Sequence, residues 1–214
     1  MVCIDFWYLN KVCPKDNFPI PHIDQIIDNC AGSVIFSFMD GFSGYNRIEI
    51  IPADQHKIKY LFPWGTFAYR NLPFGLKNIG ATFQRAMSYA FHDIKHIMEL
   101  YLDDLPSHSQ QWEDHLGNLR DIFLRCRHYN IRLNPHKCVF CVETGCLLGF
   151  VVSKDGIWID PMKISAILTL PAPTNITELQ SLQGKEKFIH RFMYKFVEKT
   201  HGYMRLLKKD TPFF

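Results

Sequence analysis

Apolar residues along this chain change their spacing from segment to segment, and each change marks an element. In PIPHIDQIIDNCAG, Ile23, Ile26 and Ile27 lie between proline punctuation and Gly32, which predicts a short helix. SVIFSFMD, ending at Asp40, reads as a strand, followed by RIEII (47–51), HKIKYLF (56–62) and GTFAYR (65–70), with Gly, Pro or Asp punctuation between them. From Asn78 the spacing becomes helical, and Ala81, Phe83, Ala86, Met87 and Ala90 carry one face to about His92. MELYLDDLPSH predicts strand, turn, strand, with Asp103 and Asp104 at the turn. Trp112, Leu116, Leu119, Ile122, Phe123 and Cys126 predict an amphipathic helix that ends before Asn130.

Further along, LLGFVV and GIWI joined by SKDG predict a hairpin that turns at Asp155-Gly156. Two helices are expected to close the chain, the first capped by Asn175 with Glu178 and the second lined by Phe188, Phe192 and Phe196. The opening VCIDFWYL alternates, so the chain is expected to begin inside a strand and to be a piece of something longer. Strands and helices interleaved without repeating βαβ units make the fold class α+β, with a boundary expected near 154–160.

A chain of 214 residues can bury a core without disulfides or metal. Its 47% hydrophobic and 21% charged residues exclude disordered and collagen-like classes. The net charge of +3 is too mild to announce a nucleic-acid binder, but its distribution is uneven. From residue 184 onward eight Lys and Arg stand against three Asp and Glu. Seven cysteines, an odd number at irregular spacing, point to free thiols in a reducing intracellular compartment, cytoplasm or nucleus alike. Cys138, Cys141 and Cys146 lack a fourth partner at zinc-site spacing, so small thiols flanking strands are the expected role. No apolar run approaches the roughly 18 residues of a membrane span, and no secretory signal opens the chain, so no membrane partner is expected.

Three carboxylates stand where chemistry could use them. Asp40 ends an apolar strand, and Asp103 and Asp104 cap a hairpin whose first strand is also apolar. If those strands are neighbours, the carboxylates converge, repel and raise one another's pKa unless a cation lies between them. The plainer reading is that Asp-Asp makes a good turn and Asp40 a strand end. Spacing alone leaves both open.

Five blocks in order resemble the motif series of reverse transcriptases from gypsy-type LTR retrotransposons: IFSFMDGFSGYNRI (35–48), LPFGLKNIGATFQRAM (72–87), YLDD (101–104), RLNPHKCVF (132–140) and LLGFVVSKDGI (147–157). VCIDFWYLNKVCPKDNFPIPHID opens the likeness and PAPTNITELQSL with RLLKKDTPFF closes it, so it covers essentially the whole chain. The resemblance implies an α+β right-hand polymerase, its palm a small antiparallel sheet backed by helices. Fingers are expected at about 1–15 and 48–78, palm at about 16–47 and 79–153, and thumb at 154–214. It also implies RNA-directed DNA polymerase activity by nucleotidyl transfer to a primer 3′-hydroxyl. Partners would be an RNA or DNA template with primer and deoxynucleoside triphosphates, with RNase H and integrase elsewhere in a parent polyprotein.

Residue by residue, the resemblance implies Asp40, Asp103 and Asp104 as catalytic ligands of two magnesium ions, with manganese able to substitute and the Gly41 carbonyl a further ligand. Tyr45 falls at the sugar-discriminating position, and Phe74 and Gly75 at the nucleotide contact. Tyr101, Leu148, Gly149 and Phe150 fall where the primer terminus is held, and the basic C-terminal helices where duplex phosphates are bound. Some positions depart from the pattern. Trp7 stands where the family has an arginine expected to grip the triphosphate, and indole has one donor and no charge. Ile79-Gly80 replaces Ala-Pro, Pro106 enters the strand after YLDD, and Gln183 with the charged run at 185–187 replaces an apolar stretch. The competing expectation is therefore a non-catalytic retroelement remnant that at most binds nucleic acid. A metal-dependent nuclease with the same three carboxylates is a third reading.

Overall fold

The computed structural model describes residues 4–42 and 44–207, so residues 1–3, Ser43 and the basic stretch from Lys208 to Phe214 lie outside the described residues. The chain divides into two compact units, one reaching to Ile157 and the other beginning at Trp158.

The first unit opens with helices α1 (Trp7–Val12) and α2 (Ile23–Cys30), then strand β1 (Ile35–Asp40), the single turn α3 (Pro52–Gln55), and the ribbon β2 (Lys59–Phe62) and β3 (Gly65–Ala68). Helix α4 (Ile79–Ala90), strand β4 (Asp104–Ser109), helix α5 (Trp112–His128) and strands β5 (Val139–Val142), β6 (Thr144–Leu147) and β7 (Phe150–Ser153) follow, and strand β8 (Gly156–Ile159) runs across the division. A three-stranded antiparallel sheet in the order β4-β1-β5 sits at its centre. Alternation along β1 decides what each face meets. Ser37 and Met39 face the helices, where Met39 and Leu105 pack with Phe83, Met87, Leu119 and Ile122 of α4 and α5 in the main core. On the opposite face, Phe38 lies so close to β6 that a Cβ on Gly145 would stand 2.2 Å from its ring.

The inward serines of β1 and β4 are not packing errors, because buried His115 of α5 joins them. Ser37 Oγ lies 2.8 Å from His115 Nε2, and Ser109 Oγ lies 2.8 Å from Nδ1. Pro106 costs β4 no bond to β1. The Gly41 N–H donates to the Asp103 carbonyl at 2.8 Å, which makes Phe38 and Pro106 a non-hydrogen-bonded pair, and the Pro106 carbonyl accepts the Glu99 N–H on its outer side at 2.8 Å.

Several sequence expectations need correction. Of the expected opening strand, residues 2 and 3 lie outside the described residues, and from Trp7 the chain is helix α1: the Asp5 carboxylate accepts the Trp7 N–H at 2.8 Å, and Lys11 lies over the Trp7 ring one turn later, 3.9 Å from its centroid. RIEII contributes a 3-10 turn at Gly44–Arg47 and one bridge, Glu49 to Asn71, because Pro52 stops extension. LLGFVV is broken at its second residue. Leu148 and Gly149, at φ 52° and 85°, make a two-residue turn between β6 and β7.

Among the described residues the second unit carries three α-helices rather than two: α6 (Pro161–Leu168), α7 (Ile176–Phe188) and α8 (Phe196–Met204). Asp160 accepts the Met162 N–H at 2.9 Å ahead of Pro161, and that Asp-Pro start signal marks the helix missed in the sequence. Asn175 caps α7 as expected, its side chain accepting the Glu178 N–H at 2.9 Å. Glu178 reaches back to the Thr174 N–H at 2.8 Å, one residue earlier than a standard capping box. Phe188, Phe192 and Phe196 fall in α7, a 3-10 turn and α8, so they line no single helix. Tyr203 hydrogen-bonds Glu186 and ties α8 to α7. No helix among the described residues is long and apolar enough to cross a membrane.

Two glycines give opposite expectations. Gly145→Ala drives a methyl into Phe38 and should cost about 1–3 kcal/mol. Gly117→Ala, mid-helix in α5 with nothing within 4 Å of its added carbon, should gain about 0.5–1 kcal/mol. Urea denaturation midpoints of the two variants against the natural chain check both signs.

Candidate active site

The register of β1 against β4 sets Asp40 opposite Asp104, on the face that also carries Phe38 and Pro106. Asp103 precedes Asp104 at the tip of a tight hairpin closed by the Tyr101 and Asp104 bridge, their N–H groups and carbonyls meeting at 2.9 and 3.0 Å. Sixty-three residues apart in sequence, Asp40 and Asp103 are thus brought to one sheet end. Like charges on directly opposed positions destabilise a sheet, so something must hold this arrangement.

Buried Gln84 of α4 does much of that. Its side-chain oxygen accepts the Leu102 N–H at 2.8 Å and its amide donates to the Leu100 carbonyl at 3.1 Å, pinning both sides of the tip. Leu102 itself sits at φ 52°, a left-handed conformation unfavourable for leucine. Gly44 supplies the space: a Cβ there would stand 2.4 Å from Asp103 Oδ1 and 2.5 Å from the Phe83 ring. Lys137 supplies charge, its Nζ lying 3.2 Å from Asp40 Oδ2. None of these three was singled out in the sequence. A polar residue on the buried face of α4 was the available signal for Gln84.

Burial, then the charges of Asp40 and Asp104, push the Asp103 carboxyl up to about 6, with Lys137 opposing. Burial and Asp40 also raise Asp104. Asp103 Oδ1 is buried and has no hydrogen-bond partner among the described residues. Three carboxylates and a glycine carbonyl are the hard oxygen donors a divalent cation takes, and an orphaned buried oxygen fits that use. As they stand, no three His, Cys, Asp or Glu side chains among the described residues are drawn close enough to enclose an ion.

The remaining candidates fall into two groups. Tyr45 lies edge-on to Phe74 with ring centroids 5.4 Å apart and tilted against Phe83 at 4.8 Å. Burial and the charges of Asp103 and Tyr101 raise the Tyr45 phenol, which places it beside the carboxylates. Gly75, at φ 98°, gives its carbonyl to Asn10 of α1 at 2.7 Å, so the turn of LPFG is tied to the helix carrying Trp7. Trp7 is 52% exposed. On the other side, a cleft of about 200 Å³ is lined by Asp40, Asp104, Lys137 and Leu148 together. Gly149 completes the turn beside Leu148, whereas the Phe150 side chain is only 1% exposed and belongs to the core.

Asp103→Asn should stabilise the chain at neutral pH. The folded carboxyl titrates near 6 against 3.8 for the free group, so the fold loses stability as pH rises from about 4 to 6, and the amide escapes that loss. Since the side chain is only half-buried, about 1–2 kcal/mol is expected at pH 7.5, closing to zero below pH 4. Gln84→Leu strands an N–H and a carbonyl and should cost about 2–4 kcal/mol. Thermal melts across pH 3.5–8 measure both.

The model of the family described as reverse transcriptase (RNA-dependent DNA polymerase) matches residues 1–152. A retrovirus-related Pol polyprotein from transposon 412 of Drosophila melanogaster is 33% identical over 211 residues, covering 98% of this chain and 17% of that polyprotein. Among solved structures, a foamy viral protease-reverse transcriptase in complex with double-stranded DNA superposes with a TM-score of 0.88 at 21% identity, covering 95% of this chain and 36% of that one. Its complex with an RNA/DNA hybrid gives 0.84 at 21% identity, over 97% and 28%. These likenesses show the α+β polymerase fold. The reverse transcriptase family uses divalent metal ions. With the family's model matched over residues 1–152, and a retrotransposon Pol polyprotein as a relative along nearly all of its length, the chain belongs to the reverse transcriptase family.

Proposed function

We propose that the chain is the RNA-directed DNA polymerase segment of an LTR retrotransposon polyprotein. The observation that carries this reading is the pairing of Asp40 with Asp104 at a sheet end beside a buried Asp103 oxygen that has no partner among the described residues. In this reading palm residues are 16–47 and 79–153, fingers 1–15 and 48–78, and thumb 154–214. RNA or DNA template with primer and deoxynucleoside triphosphates are its substrates.

Asp40, Asp103, Asp104 and the Gly41 carbonyl would hold two magnesium ions, which when bound lower the pKa of a primer hydroxyl and offset triphosphate charge. The chain's own groups do the rest. Lys137 holds an ammonium against Asp40 and reduces repulsion among the carboxylates. Tyr45, wedged between Phe74 and Phe83, walls the sugar side of the site and crowds a 2′-hydroxyl. Leu148 lines the small cleft together with Asp40 and Asp104, and Gly149 follows it in the turn, so a primer end would rest there. Lysines of the second unit contact duplex phosphates without reading bases.

The second reading, a non-catalytic chain that binds nucleic acid, is favoured chiefly by Trp7, with Ile79-Gly80 and the polar run at 183–187 beside it. The Lys11 ammonium over the Trp7 ring returns a cation to that helix, but not a forked donor.

Magnesium-dependent primer extension tests the proposal. Extension should be weak in the natural chain, rise with Trp7→Arg, since one preorganised donor is worth about 3–4 kcal/mol, and vanish with Asp103→Asn. No extension by either active form, with intact salt-sensitive duplex binding, would establish the second reading. Tyr45→Ala should raise ribonucleotide use relative to deoxyribonucleotide use about tenfold or more, measured as the ratio of kcat/KM values.

A further inference from the structure

Behind the carboxylates, on the helix side of the first unit, lies a pocket of about 250 Å³ that meets the polymerase site only at Gly41 and is lined by none of the three aspartates. Its wall is Gly44 and Phe83, the same two residues that pack against Asp103 and Tyr45 from the other side. Met87 and Ile131 make its interior apolar. Arg47, half-buried, and Arg132, exposed, stand among its lining residues. Neither guanidinium has a hydrogen bond or ion pair to another side chain among the described residues, in contrast to Arg85 and Arg125, which pair with Asp16 and Asp93.

An apolar cavity of roughly 150 Å³ holds one benzene ring, whereas pockets for drug-sized ligands begin near 300 Å³. This one therefore suits two fused rings. A guanidinium presents a planar fork that matches a carboxylate, and two of them with no competing partner favour an anionic head. We infer that the pocket lined by Arg47, Phe83, Met87 and Arg132 binds a small aromatic acid, rings inward against Phe83 and Met87 and carboxylate between the two arginines. This site adjoins the carboxylate site at Gly41 but takes its ligand on the far side of Phe83, and it stands whether or not the chain polymerises.

Calorimetric titration of the natural chain with naphthalene-2-carboxylate, and with naphthalene-2-methanol as its neutral counterpart, tests the inference without magnesium or nucleic acid. The acid should bind one-to-one with a Kd of about 0.1–1 mM, and the alcohol about tenfold more weakly. Arg47→Gln combined with Arg132→Gln leaves the packed core untouched. It should bring the acid down to the affinity of the alcohol and leave the alcohol unchanged. Ala86→Phe, which fills the pocket from α4, should abolish binding of both. Equal affinity for acid and alcohol, an unchanged Kd in the double arginine variant, or no heat up to 5 mM would each overturn it. Binding that survives Ala86→Phe would place the probe elsewhere and overturn it equally.

Discussion

The antiparallel register of β1 on β4 is the constraint on which the site depends. A slip of one residue would send Asp40 to the helix side and Met39 into the cleft, because side chains alternate along a strand. The register is held from the helix side by packing that has nothing to do with charge. Met39 and Leu105 fill the core, and His115 bonds one serine from each strand. Apolar burial and a satisfied polar network thus hold two like charges opposite each other on the far face.

Unfavourable features concentrate at the tip that results. Leucine stands in a left-handed conformation, an aspartate oxygen is buried without a donor among the described residues, and Asp103 resists ionisation. Strain of this kind persists only where surroundings over-determine it. Gln84 supplies two hydrogen bonds to the tip and Gly44 yields the room that a side chain would take. Both come from segments distant in sequence, α4 and the turn after β1, so the site is a tertiary construction and not a local motif.

The regular parts of this fold were legible where period and burial agree. The helix at 79–90, the helix at 112–128 and the strand ending at Asp40 show their apolar faces plainly, and each forms as expected. Alternation misled at VCIDFWYL, where a carboxylate two residues ahead of Trp7 and a Lys11–Trp7 pair favour a helical turn. It misled again at LLGFVV, where Leu148 occupies a turn position that usually announces itself with Asn or Gly. The carboxylates themselves were legible as residues, through their family resemblance. Their supports were not, because Gln84, Gly44 and Lys137 gain meaning only from what the folded chain places beside them.

Manganese binding tests the convergence of Asp40 with Asp103 and Asp104 most directly, because the ion reports a shared oxygen site without any turnover. Titration of the natural chain with manganese, followed by water-proton relaxation, should show saturable binding that is displaced by magnesium. Asp40→Asn and Asp103→Asn, changed singly, should each remove most of it, while both variants keep the thermal transition of a folded chain. Saturable binding that survives either substitution in a folded chain would contradict the account, since carboxylates brought together by the β1 and β4 register cannot be individually dispensable to one ion.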